Sequence, residues 1–252
     1  QTDPTTNSSL DFNGTEDYIT FGAAPGLNTP SGTFTVEAWI KIEGTGIATS
    51  TGTGGISGIP IVAKGRSESD AAGRNVNYFL GINTSNVLVA DFEESGGANH
   101  PVTGTNAIPL NTWTHVAATY GAGNWNLYIN GVLDKTESEG AAVPEINSIQ
   151  HASVGTAITS NSASPAAEPA GFFNGKIDEV RIWNLARSAT EIAGNYNLEL
   201  TSGTGLLGRW GLNENCNSTA TNSVSGGVNG TIRATNISTH PTNGAPYWVS
   251  SG

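Results

Sequence analysis

The sequence has no methionine and a single cysteine, Cys216, in 252 residues. One thiol cannot close an intrachain disulfide, nor can it anchor a cysteine-rich zinc site. Charge is scarce as well: Asp, Glu, Lys and Arg make up 12% of the chain, which excludes long charged helices and coiled coils. Basic residues are scarcest, 10 against 21 acidic ones, for a net charge of −11. Nucleic-acid backbones and anionic lipid surfaces are bound through clustered cations, so neither is expected as a partner. No apolar run reaches the length of about 18 residues that spans a bilayer, so no membrane insertion is expected. The chain opens Gln1-Thr2-Asp3-Pro4, with no basic and apolar leader and no initiating methionine; a processed chain is expected. The Thr-, Ser-, Asn- and Gly-rich composition is typical of exported proteins, which points to an extracellular or cell-surface location.

Glycine is plentiful, at 33 residues, and it punctuates short apolar runs throughout. Thr33–Ile42 alternates strictly, with Phe34, Val36, Ala38 and Ile40 on one phase and Thr35, Glu37, Trp39 and Lys41 on the other. Ile61–Lys64, Tyr78–Ile82 and Val87–Phe92 read as further strands. So do Trp113–Tyr120, Asn126–Ile129 and Val132–Lys135, the last two joined by the two-residue turn Asn130-Gly131. Lys176–Trp183 is the last strong strand. Gly44–Gly58 and Ala157–Ala170 lack periodicity and read as loops, the first long and flexible. One short helix is expected near 188–197: Ser188 stands three residues before Glu191, the spacing of a capping box, and Ile192 and Tyr196 share a face. Many strands and one helix make an all-β, antiparallel two-sheet sandwich of jelly-roll type.

The alternation has a consequence for function. Val36, Ala38, Ile40, Val180 and Ile182 belong between two sheets about 10 Å apart. The opposite phase carries Glu37, Trp39, Glu179, Arg181 and Trp183, with Tyr128 off-phase to Leu127 and Ile129. Bulky aromatics beside charges do not suit bare solvent. Either another segment covers that face, the tail Gly203–Trp248 being the expected cover, or it is a ligand surface.

Four motifs carry a resemblance. Leu10-Asp11-Phe12-Asn13-Gly14-Thr15-Glu16-Asp17-Tyr18-Ile19 is followed by Phe34-Thr35-Val36-Glu37-Ala38-Trp39-Ile40. Trp113-Thr114-His115-Val116-Ala117 with Leu127-Tyr128-Ile129-Asn130-Gly131 comes third, and Gly175-Lys176-Ile177-Asp178-Glu179-Val180-Arg181-Ile182-Trp183-Asn184 fourth. In this order they resemble the signatures of laminin-G-like, concanavalin A-like jelly-roll domains of secreted bacterial proteins. The tail, with Gly205-Leu206-Leu207-Gly208-Arg209-Trp210 and Pro246-Tyr247-Trp248-Val249, resembles a segment that flanks such domains, and departs from it at Asn215-Cys216-Asn217. Some 50 residues cannot bury a core of their own, so residues 1–252 read as one domain, with 203–252 packing on or completing the sandwich. The resemblance implies recognition of a glycan or polysaccharide, adhesion, or accessory service to other modules of a larger exported protein.

The resemblance also implies a structural Ca²⁺ near the sandwich rim. Calcium takes six to eight oxygen ligands; Asp11, Asn13 and Asp17 surround a glycine turn, and Asp178 reads as in phase with the core, where a carboxylate needs a cation or N–H donors. For sugar binding, aromatic faces and a few polar groups are required, which singles out Trp39, Tyr128, Trp125, Arg181 and Trp183. Catalysis has no support: glucanases of this fold place alternating acids on one strand with carboxylates about 5 Å apart, whereas Asp178 and Glu179 are adjacent and therefore on opposite faces of a strand. Gln150-His151 lacks the spacing of a lyase pair, and no Gly-x-Ser-x-Gly or His-Glu-x-x-His occurs. The sequence thus reads as a non-catalytic recognition module. A spacer or adhesion domain and a small polysaccharide hydrolase or lyase are the alternatives.

Overall fold

The computed structural model describes residues 9–66, 74–161, 164–213, 218–233 and 248–249; Cys216 and its neighbours at 215–217 lie outside them. In chain order the strands are β1 (Ser9–Asn13), β2 (Tyr18–Gly22), β3 (Phe34–Ile42), β4 (Thr49–Ser50), β5 (Ser57–Lys64), β6 (Tyr78–Ile82) and β7 (Val87–Asp91). Next come β8 (Val102–Ala107), β9 (Thr114–Gly121), β10 (Asn124–Ile129), β11 (Val132–Ser138), β12 (Ala152–Val154), β13 (Ala157–Asn161) and β14 (Ser164–Ala170). Then follow β15 (Asn174–Trp183), helix α1 (Ala189–Asn195), β16 (Leu206–Trp210), β17 (Thr219–Ala220), β18 (Gly230–Arg233) and β19 (Trp248–Val249). A front sheet has the order β11-β10-β9-β3-β15-β1-β19, with β16 also paired to β15. A back sheet has the order β17-β18-β2-β12-β5-β6-β7-β8, with β4 on β5. All their ladders are antiparallel, as the alternation predicts for a jelly-roll sandwich.

The core lies between the sheets and is built from one phase of each strand. Phe34, Val36, Ala38 and Ile40 of β3 join Val116 and Ala118 of β9 and Ile177, Val180 and Ile182 of β15. They face Ile61, Tyr78, Leu80, Ile82, Leu88 and Ala90 of the back sheet. Phe34, Phe92, Tyr120 and Trp125 form an aromatic knot with ring centroids 4.5–6.5 Å apart, geometry in which each pair adds roughly 1 kcal/mol beyond its burial. At one side the sheets are pinned edge to edge. Asp134 of β11 accepts the Thr105 N–H of β8 at 2.8 Å and the Asn106 side-chain amide at 2.7 Å.

Both expected loops are organised. Ile47 bridges Phe172, and β4 lies on β5. Thr51 donates its hydroxyl to buried Asp91 at 2.5 Å, and Asn99 donates to the same oxygen at 2.9 Å. Hydrogen bonding therefore holds a Gly/Thr/Ser tract that has no apolar period to betray it. The Ala157–Ala170 stretch is a hairpin, β13 on β14. With Ile56 it covers Ala63, Val76, Phe79 and Val89 on the outer face of the back sheet.

The segment after residue 203 pairs with both sheets: β16 with β15, β18 with β2, and β19 with β1. Trp210 anchors it, its ring 4.5 Å from that of Phe21 and its indole N–H donated to the Val228 carbonyl at 3.0 Å.

Candidate functional site

The outer face of the front sheet gathers most of the residues singled out above. In the β3–β9 ladder Trp39 stands beside His115 and Glu37 beside Ala117; in β15, Arg181 stands beside Glu37 and Trp183 beside Thr35. The face is covered, and by the segment directly after β15 rather than by the tail. Ser188 caps α1 in the capping box that the sequence predicts, and Ile192 packs on Ala117 and Tyr128. Trp39 donates its indole N–H to the Tyr196 carbonyl at 2.8 Å, and Thr35 its hydroxyl to the Leu185 carbonyl at 2.8 Å.

Beneath this cover Glu37 is saturated. One carboxylate oxygen accepts from the Trp183 indole at 2.8 Å and Arg187 at 3.1 Å; the other accepts from His115 Nε2 at 3.1 Å. Burial pushes its pKa upward, but the His115 hydrogen bond and the Arg181 charge outweigh that and hold it at about 2. Burial lowers the pKa of His115, so the ring is neutral and its Nε2 carries the donated proton. Arg187 also lies over the Trp183 ring, 4.4 Å from its centroid.

A β-bulge builds the other half. Between Asp178 and Arg181 the β15–β3 register slips by one residue, and Glu179 takes a left-handed φ of 48°. Glu179 turns inward beneath the cover, where it accepts from Arg181 at 2.8 Å and from Arg209 Nε at 3.1 Å. Arg181 also donates to the Leu198 carbonyl. Arg209 holds its proton more tightly: its burial disfavours the charge, but Glu179, Glu199 and Asp178 more than offset it. Three carboxylates (Glu37, Asp178, Glu179) thus meet three guanidiniums (Arg181, Arg187, Arg209). Such a balanced, hydrogen-bonded cluster fixes the cover in place and leaves no base or acid free for chemistry.

These positions correct the expected ligand set. Trp39, Tyr128, Arg181 and Trp183 lie under α1 and its flanking loops, while Trp125 lies between the sheets and donates to the His100 carbonyl at 2.8 Å. All five are at most 3% exposed, so none offers a ring face or a charge to a sugar. The off-phase pattern reports a second, internal interface.

The calcium set does not fit either. The bulge puts Asp178 opposite Trp39 on the covered face, not in phase with Val180 and Ile182; its carboxylate accepts the Glu179 N–H at 2.7 Å and neighbours Arg209. Asn13 spends its amide oxygen on the N–H groups of Thr15, Glu16 and Asp17, and Asp17 accepts the Asn13 N–H at 3.2 Å. Asp11 sits apart, its pKa raised by burial and Glu43. Among the described residues no three His, Cys, Asp or Glu side chains converge on a metal position.

One rim cluster went unread in the sequence. His100 is stacked on Phe92 at 4.9 Å, with Glu139 3.1 Å from Nδ1 and Glu94 3.6 Å from Nε2. Glu139 lies 39 residues from His100 in the chain, too far for any local pattern to join them.

A laminin-G-type family model, described as the concanavalin A-like lectin/glucanases superfamily, matches residues 13–193. The chain belongs to this superfamily. Among solved structures, the concanavalin A-like fold recurs in a Bacteroides ovatus protein provisionally described as carbohydrate-binding, at TM-score 0.61 and 22% identity over 90% of this chain. This chain spans 58% of that protein's length. The sialyllactose-bound CBM40 of the Ruminococcus gnavus IT-sialidase matches at TM-score 0.54 and 13% identity, over 78% of this chain and 100% of its own. A heptameric SAP-like pentraxin from Limulus polyphemus matches at TM-score 0.51 and 16% identity, over 79% and 84%. At such identities these likenesses speak for the fold alone. No curated protein matches the sequence.

Proposed function

We propose that this chain is a non-catalytic carbohydrate-binding module that acts outside the cell. The observation that carries the reading is the consumption of acids inside a lectin/glucanase fold: Glu37, Asp178 and Glu179 are buried, hydrogen-bonded and balanced by arginines. A glucanase of this architecture needs two such carboxylates facing a sugar; here they face the cover. The carbohydrate-binding character of the Bacteroides and Ruminococcus structures supports the same reading. The reading does not depend on calcium: of the oxygens expected to ligate it, those of Asn13 and Asp178 accept hydrogen bonds within the chain.

A glycan array followed by calorimetry tests the proposal. Binding of at least one oligosaccharide at millimolar concentration is expected, unchanged by EDTA and with no reducing sugar or unsaturated uronate released. A flat array across neutral and acidic glycans would remove the reading, and product release would replace it with an enzyme.

A further inference from the structure

Among the described residues, most cations of this acidic chain have partners that account for them. Arg181, Arg187 and Arg209 pair with Glu37 and Glu179. Lys41 and Lys176 pair with Glu43, and Lys135 with Glu137. Buried Lys64 donates to the carbonyls of Ala23, Ser148 and Gln150. Arg66, just past β5, is held differently. Its Nε donates to the Thr159 hydroxyl of β13 at 2.9 Å and its Nη1 to the Thr49 hydroxyl of β4 at 3.4 Å.

Two neutral hydroxyls fix the plane of this guanidinium without compensating its charge. A guanidinium carries five N–H groups; these two bonds leave one on Nη1 and both on Nη2, the pair of nitrogens that grips a carboxylate in bidentate fashion. The holding residues come from separate elements, so the side chain is half-buried and oriented rather than waving in solvent. Glu168, directly across from Thr159 in the β13–β14 ladder, is exposed and makes no ion pair with it. Gln150 donates to the Arg74 carbonyl and accepts the Ser160 N–H at 2.7 Å, which ties the main chain at Arg74 to β13 beside Thr159.

We infer that Arg66, held by Thr159 and Thr49 on the outer face of the back sheet, is a subsite for the carboxylate of an acidic sugar. This rests on the carbohydrate-binding reading and names its ligand class. The overall negative charge repels polyanions at a distance, so the subsite selects by local bidentate contact rather than by steering.

Calorimetry with trigalacturonate, neutral galactotriose and a sulfated galacto-oligosaccharide tests it. The wild type is expected to bind trigalacturonate about tenfold or more tightly than galactotriose. Arg66→Gln should abolish that preference without moving the melting temperature, and Arg66→Lys should restore only part of it, because an ammonium lacks the fork. Thr159→Val, which keeps the charge but frees its orientation, should weaken uronate binding severalfold; it serves as the independent variant if Arg66→Gln misfolds. Equal affinity for neutral and acidic trisaccharides, untouched by Arg66→Gln, would overturn the subsite and leave the module intact. A preference for the sulfated sugar would overturn the carboxylate assignment. Binding of none of the three, with a flat array besides, would sink both readings.

Discussion

Glu37 concentrates the electrostatics of the covered face into one carboxylate. With four polar groups turned toward it, its replacement leaves Arg187 and Arg181 short of a counter-charge in a dry setting. Glu37→Gln is expected to cost about 3 kcal/mol, read as a lowered urea midpoint with an unchanged slope. Its depressed pKa also sets an acid limb. The folded-state value of about 2 lies below the ordinary 4.5, so the stabilisation is complete above pH 4.5 and is lost as pH falls toward 2. Lys64 works in the opposite sense. Burial lowers its pKa from 10.5 to about 7, so keeping it charged opposes folding below pH 7, and that penalty fades as pH rises toward 10. Urea midpoints of the wild type should therefore climb between pH 7 and 10, and Lys64→Met should flatten the climb.

At the level of elements, the cover depends on a turn and a cap. Asn130 and Gly131 both take positive φ, 51° and 77°, the two-residue hairpin geometry that their sequence announces. A Cβ on Gly131 would meet the Tyr196 ring at 2.8 Å and the Ala193 Cα at 3.1 Å. Gly131→Ala is thus expected to lift the helix off the sheet, costing about 2 kcal/mol, and to raise hydrogen exchange in α1 before the sandwich opens. Ser188→Ala removes the cap at a cost of about 1 kcal/mol. Helix and strands were legible because period and capping are local. The covered site was not, for two reasons. The bulge at Glu179 has no glycine to mark it, so phase counting through β15 sends Asp178 to the wrong face. The cover, 184–203, shows only Ile192 as a deeply buried apolar residue and seals the face largely through backbone carbonyls that accept from Trp39, Thr35 and Arg181, contacts that leave no hydrophobic pattern. Arg66 was not legible because an arginine held by two threonines from distant strands is recognisable only once its neighbours are known.

For the molecule as a whole, the segment beyond 203 decides whether one cooperative unit exists. Its strands extend both sheets and bury Trp210 and Leu212. A chain ending at residue 203 would leave Glu179 without Arg209 and would bare Phe21. It is expected to melt without a cooperative transition and to bind a hydrophobic dye, whereas the full chain gives a single transition. Success of the shortened chain in folding alone would show that the sandwich ends earlier.

The pairing of β1 with β19 and of β2 with β18 joins the beginning of the chain to its end. A ribosome delivers the first of these partners more than two hundred residues before the second. Until then β1 and β2 each keep one edge unpaired, so acquisition of the native state must wait until residues 230–249 have been made. A holding chaperone, rather than folding on the fly, suits such an order of synthesis.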